Sequence, residues 1–180
     1  MRKLQIGVMG SAADLKYTKS AEAAGEELGR LIAQRKGILV FGAEKDYDSL
    51  STAACRGAKK TGGITVGITY NKRKDIFQRG IDVIIPCGLD RGGGRELVVT
   101  LACDALIAIG GGSGTLNEMT VAYQADIPII ALRGFGGWAE ELSDRYLDNR
   151  KRRKIIPAAT PKEAVVLAFR EARLYAKKYK

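Results

Sequence analysis

The stretch Ala105-Leu106-Ile107-Ala108-Ile109-Gly110-Gly111-Gly112-Ser113-Gly114-Thr115-Leu116-Asn117-Glu118 sets an unbroken apolar run against a glycine-rich loop and a segment with helical spacing. An apolar run with no polar alternation predicts a strand buried on both faces, as in parallel sheets. The glycines end it, and residues 115–124 read as helix. This strand, loop and helix order decides the fold because it recurs along the chain.

Working outward, residues 4–9, 38–41, 64–68, 83–85 and 127–132 read as further strands. Helices are predicted at 49–61, 95–103, 138–146 and 161–176, and another follows the first strand through Ala21, Ala24, Leu28, Leu31 and Ile32 to a cap at Gly37. The alternation predicts an α/β fold: a doubly wound, mostly parallel, Rossmann-like sheet of about six to seven strands flanked by helices. A length of 180 residues suits a single domain, 1–180, with a basic segment at 150–154 and a C-terminal helix at 161–176.

Composition narrows the chemistry. The chain has no histidine, which excludes a Ser-His-Asp triad, a Cys-His dyad and an imidazole acid or base. Cys55, Cys87 and Cys103 are never spaced as Cys-x-x-Cys, so they read as small buried hydrophobes, reduced in a cytoplasmic protein. No run of about 20 apolar residues marks a membrane span, and the apolar stretch at residues 4–9 is too short for a signal core. The net charge of +10 favours anionic ligands; five of the positive charges lie in Arg150-Lys151-Arg152-Arg153-Lys154.

Loops that follow parallel strands gather at the carboxyl edge of the sheet, where ligands bind. Gly10-Ser11, the loop from Gly42, Gly92-Gly93-Gly94-Arg95, residues 110–115 and residues 133–137 all fall there. Glycines let a ligand approach the backbone, and a helix opening after Gly114 aims free amides at an anion. Gly111, Gly112, Ser113, Gly114 and Thr115 therefore form a candidate phosphate loop, unless the turn simply joins strand to helix. It lacks the Gly-Lys-Ser/Thr ending of a nucleoside triphosphatase loop and does not follow the first strand, as a dinucleotide fingerprint would. Glu118 stands three residues after Thr115, the spacing of a capping box, in which it would serve a backbone amide. Alternatively it pairs with Arg95, which could also hold a phosphate or be a solvated helix-start residue.

Arg95, Asp104-Ala105 and the motif from Gly110 to Glu118 resemble the signature of LOG-type proteins, the Lonely Guy cytokinin-activating phosphoribohydrolases and their lysine decarboxylase-like relatives. Gly110 in place of the family's proline is more similar to the branch containing molybdenum cofactor carrier proteins. The resemblance implies a candidate phosphoribohydrolase, freeing base and ribose 5-phosphate from a nucleoside 5'-monophosphate. Arg95 and Glu118 would be its catalytic pair, and Gly10, Ser11, Gly42 and residues 111–115 would bind the nucleotide. Glu118 would stabilise oxocarbenium character on the ribose. The alternative is a non-catalytic carrier or sensor of a phosphorylated ligand, molybdopterin-type included.

No required cofactor and no metal are expected, and the resemblance, with the commonness of two-fold closure, implies a homodimer or higher homo-oligomer. Where the family carries a glycine loop after the second strand, this chain has Gly42-Ala43-Glu44-Lys45-Asp46-Tyr47-Asp48. Such a loop shields the pocket, binds a cation or is a solvated turn; charge runs in loops usually face water, which favours the last. Nucleic-acid binding is a minor reading, resting on the basic run and on Tyr146, Tyr175 and Tyr179. Trp138 and Phe135 are expected to pack at the core or its edge rather than stack on a base.

Overall fold

The computed structural model describes residues 2–90 and 92–178. Tyr179 lies outside them. The strands are β1 (Gln5–Gly10), β2 (Ile38–Gly42), β3 (Ile64–Thr69), β4 (Val83–Pro86), β5 (Ala105–Ile109), β6 (Ile129–Leu132) and β7 (Ile156–Ala158). The helices are α1 (Lys19–Gln34), α2 (Leu50–Lys60), α3 (Gly94–Leu101), α4 (Ser113–Gln124), α5 (Gly137–Glu141) and α6 (Pro161–Lys178).

One seven-stranded sheet runs in the order β4-β3-β2-β1-β5-β6-β7, with every neighbouring pair parallel. The chain works outward from β1 through β4, then returns to start again at β5 on the other side of β1. This reversal leaves a crevice beyond the carboxyl ends of β1 and β5, the place where doubly wound sheets bind ligands.

Side-chain alternation builds the two core layers. Ala105, Ile107 and Ile109 of β5 face the layer holding α1, α2 and α6, whereas Leu106 and Ala108 face α3, α4 and α5. All five are fully buried, as the absence of polar alternation requires. Helices α1 and α2 meet backbone to backbone: a Cβ on Gly29 would lie 1.7 Å from the Ala54 carbonyl oxygen, and one on Gly57 would lie 1.8 Å from that of Glu26. Only glycine admits this approach.

Three departures from the sequence reading go beyond a residue or two at an end or bear on the site. The expected helix at 138–146 stops at Glu141, and Asp144 adopts a left-handed φ of 60° while its amide bonds the Ile155 carbonyl. Ser143 and Asp144 favour such turns over helix interior. Strand β7 carries Pro157 at the sheet edge, where a missing N–H is tolerated, and three residues give no periodicity to read. Helix α4 begins two residues early, at Ser113, which bears directly on the site.

Candidate functional site

A cavity of about 470 Å³ opens at the crevice between β1 and β5. The turn after β1, the loop after β2, the first turns of α3 and α4 and Tyr70 after β3 form its walls. Gly10, Gly42, Gly112, Ser113, Gly114, Thr115, Arg95 and Glu118 line it. Ser11 and Gly111 instead line a second cavity, behind the glycine loop, of about 490 Å³, with Phe135 and Gly137.

Backbone geometry turns the loop amides outward. Gly111 has φ 99°, and a Cβ there would sit 2.5 Å from that of Thr115, so no other residue suits it. Its carbonyl accepts from the Trp138 amide at 3.1 Å, and the Gly110 carbonyl accepts from Ala139 at 3.0 Å. The Gly111 amide donates to Ser11 Oγ at 2.8 Å. Ser11 therefore braces the loop from behind. Gly112 caps α4 without a side-chain hydrogen bond, leaving the amides of the first turn without intrahelical acceptors. A Cβ on Gly114 would meet nothing within 4 Å, so this turn faces open space. An anion placed there meets amides and the positive end of the helix dipole.

The helix start overturns the capping-box reading. With Gly112 as the cap, Thr115 is already inside the helix and cannot pair reciprocally with Glu118. Glu118 points inward: it is 6% exposed and makes no hydrogen bond among the described residues. Burial pushes its carboxyl up to about 8, with Glu96 and Glu44 adding to the rise against the opposing pull of Arg95.

Arg95 is buried rather than solvated, and its partners differ from those expected. Its Nη1 donates to Glu44 Oε1 at 2.5 Å and its Nη2 approaches Glu96 Oε1 at 3.4 Å. The guanidinium lies 4.1 Å from the centroid of the Tyr70 ring, and Tyr70 donates to Glu96 Oε1 at 2.6 Å. Burial works against the charge, but Glu44 first, then Tyr70, Glu118 and Glu96, raise the Arg95 pKa above its ordinary value. The phenol of Tyr70 is likewise driven up, chiefly by burial.

The acidic loop is thus not simply a solvated turn. Glu44 turns into the cavity as the partner of Arg95, while Asp48 accepts from Arg56, which also pairs with Glu22 and Glu26. Sequence reasoning missed Glu44, Glu96 and Tyr70 as site residues. Glycine at position 42 was the available signal: a Cβ there would lie 3.1 Å from Arg95 Cζ, so the glycine makes room for the guanidinium.

Other residues take structural places. Asp104 sits at the amino edge of the sheet, away from the cavity, and accepts from Arg2 Nη1 and Nη2 at 2.7 and 2.5 Å and from the Gln5 amide at 2.8 Å. The basic run is laced into ion pairs: Arg150 with Asp148, Arg153 with Asp126 and Glu171, Lys154 with Asp144. That pairing engages three of the five cations on which the nucleic-acid reading rested, while Arg152 donates to the Gln124 carbonyl. Cys55 and Cys103 are buried as expected, and burial pushes Cys55 to about 11; Cys87, after the exposed edge strand β4, is only half-buried. Trp138 is 39% exposed and Phe135 is half-buried against the core. Among the described residues no helix is long and apolar enough to cross a membrane.

A parallel doubly wound sheet, a glycine loop opening α4 at the switch point, and Arg95 and Glu118 meeting in one cavity define a LOG-like α/β protein. The chain belongs to the SLOG cluster4 family, whose model matches residues 3–165. It is 30% identical over 133 residues to an uncharacterised protein of Archaeoglobus fulgidus, covering 74% of this chain and 82% of the relative. Its structure is similar to that of the molybdenum cofactor binding protein of the phototrophic bacterium Rippkaea orientalis, at 30% identity and a TM-score of 0.79 over 94% of this chain and 98% of that one. The molybdenum cofactor carrier protein of Chlamydomonas reinhardtii is similar at 28% identity and a TM-score of 0.79, covering 96% and 99%.

Proposed function

We propose that this protein binds a small phosphorylated ligand and carries or senses it without turnover. The phosphate lies on the first turn of α4, at residues 112–115, braced from behind by Ser11 and Gly111. A cavity of about 470 Å³ matches the usual range for small-molecule sites. The observation that carries the reading is the state of the pair the family would use for catalysis. Arg95 is engaged by Glu44, and burial pushes the Glu118 carboxyl up to about 8, which favours its uncharged form at neutral pH. An uncharged acid cannot offset positive charge developing on a ribose.

The similarity to two molybdenum cofactor binding or carrier proteins supports a phosphorylated pterin as one ligand class. The open amides of the first turn of α4 would receive the phosphate of such a group. No cofactor is needed for the protein's own chemistry in this reading. Mass spectrometry of ligands carried through native purification tests it: a phosphorylated small molecule is expected, and calorimetry with it should give one site per chain. Absence of binding by every phosphorylated candidate, ribose 5-phosphate included, would overturn the reading.

A second reading, phosphoribohydrolase action on a nucleoside 5'-monophosphate, is favoured by one observation: Arg95 and Glu118 line the same cavity. Assembly as a homodimer accompanies either reading. Val83 and Ile85 on the edge strand β4 and Leu97 and Leu101 on α3 expose apolar surface, which a second copy would cover. Sedimentation at micromolar concentration is expected to give a dimer; a monomer would refute this part.

A further inference from the structure

The glycine loop has two sides, and the phosphate reading uses only one of them. The second cavity, of about 490 Å³, shares Gly112 and Leu15 with the first and runs from the loop to the start of α1 and the turn after β6. Leu15 forms the partition between them. A Cβ on Gly112 would lie 2.8 Å from Leu15 Cδ1, and the three nearest atoms all belong to that side chain, itself 53% exposed. A group bound at Gly112 therefore stands at the border of both cavities, beside a single flexible leucine.

The two walls differ in charge. Asp14, Glu44, Glu96 and Glu118 line the first cavity, whereas among the described residues no carboxyl side chain lines the second. Donors line it instead. Lys16 is on this wall and makes no ion pair among the described residues. Ser11 is nine-tenths buried; its Oγ accepts from the Gly111 amide at 2.8 Å and donates to no group among the described residues, so its proton is left for a ligand. Thr18 and Ser20 share one hydrogen bond at 2.8 Å, which uses only one of their two hydroxyl protons.

An ammonium and hydroxyl donors without a competing carboxylate suit an anion with several acceptor oxygens. Inside the first cavity a second phosphate would face carboxyl groups; across Gly112 it meets side-chain donors. We propose that the second cavity is the subsite for a second phosphate, so that the protein takes a diphosphate ester in preference to a monophosphate. The first phosphate sits on the amides of residues 112–115, and the second crosses Gly112 toward Lys16 and the Ser11 hydroxyl. Tyr17 and Phe135, both half-buried against the core, border the space that remains, which leaves room for a group attached beyond the second phosphate. The inference rests on the phosphate reading above and names the class of ligand for the same site.

Titration calorimetry with ribose 5-phosphate, inorganic phosphate and inorganic diphosphate tests it without the influence of a base. The wild-type protein is expected to bind diphosphate at least about tenfold more tightly than phosphate. Lys16→Gln should remove most of that preference while ribose 5-phosphate affinity stays unchanged, which also shows that the variant is folded. Lys16→Arg, which keeps the charge, should retain the preference. Should the glutamine variant not fold, the wild-type comparison decides alone. Equal affinity for phosphate and diphosphate, with ribose 5-phosphate binding intact, overturns the second subsite and leaves the phosphate reading standing. A preference that persists in Lys16→Gln overturns it too, as does a loss in that variant that falls equally on ribose 5-phosphate. No binding of any of the three overturns both.

Discussion

Replacing Glu118 by glutamine isolates the cost of burying its carboxyl group. Burial, with Glu96 and Glu44 nearby, raises this group from 4.5 to about 8 even though Arg95 pulls the other way. Below about pH 4.5 the folded and unfolded chains both hold the proton, and the group adds no pH dependence. Between about pH 4.5 and about pH 8 the unfolded chain has lost a proton that the folded chain keeps, so stability falls as pH rises. Above about pH 8 both forms are ionised and the loss is complete. At about 1.36 kcal/mol per pH unit the full loss is bounded at about 5 kcal/mol. Admission of water and rotation of neighbouring side chains reduce it, so roughly half that bound is expected. Glutamine keeps the shape and removes the titration. Differential scanning calorimetry from about pH 5 to about pH 8 should show Glu118→Gln gaining roughly 5–10 °C in Tm on the wild-type protein. The two profiles should coincide near pH 5, and their difference cancels every other titrating group. Parallel profiles would refute the assignment of Glu118 as a carboxyl held protonated by its surroundings.

Gly114→Asp adds a carboxylate where a Cβ meets nothing, so Tm should hold or rise while affinity for ribose 5-phosphate, read by calorimetry, falls at least about tenfold. Gly29→Ala forces a methyl group to 1.7 Å from the Ala54 carbonyl and should cost about 3 kcal/mol or more in a urea melt. Arg56→Ala leaves Asp48, Glu22 and Glu26 without their shared partner and should lower stability by about 1–3 kcal/mol in the same assay, with the difference shrinking in high salt.

The parallel sheet was legible because a doubly buried strand leaves an unmistakable trace: Ala105–Ile109 has no polar position to alternate with. The glycine loop was legible for a similar local reason, since positive φ at Gly110 and Gly111 demands glycine whatever surrounds them. What the sequence hid was tertiary. Nothing local tells Glu44 to turn inward; it does so because Gly42 leaves space for Arg95 and the buried guanidinium needs a counter-charge. The Thr115 to Glu118 spacing matched a capping box, but the cap moved to Gly112 because the braced glycine loop delivers the chain to the helix earlier. The sequence could not show which cations of the basic run are paired, because Asp126, Asp144 and Glu171, which engage Arg153 and Lys154, come from intervening turns and from α6.

The most direct test of ligand carriage without turnover is free-base release from nucleoside 5'-monophosphates by the wild-type protein, followed by chromatography over hours at neutral pH. The engaged Arg95 and the uncharged Glu118 predict release no faster than in buffer alone, from nucleotides that calorimetry shows to be bound. Release above buffer that disappears in Glu118→Gln would contradict the account and restore the hydrolase.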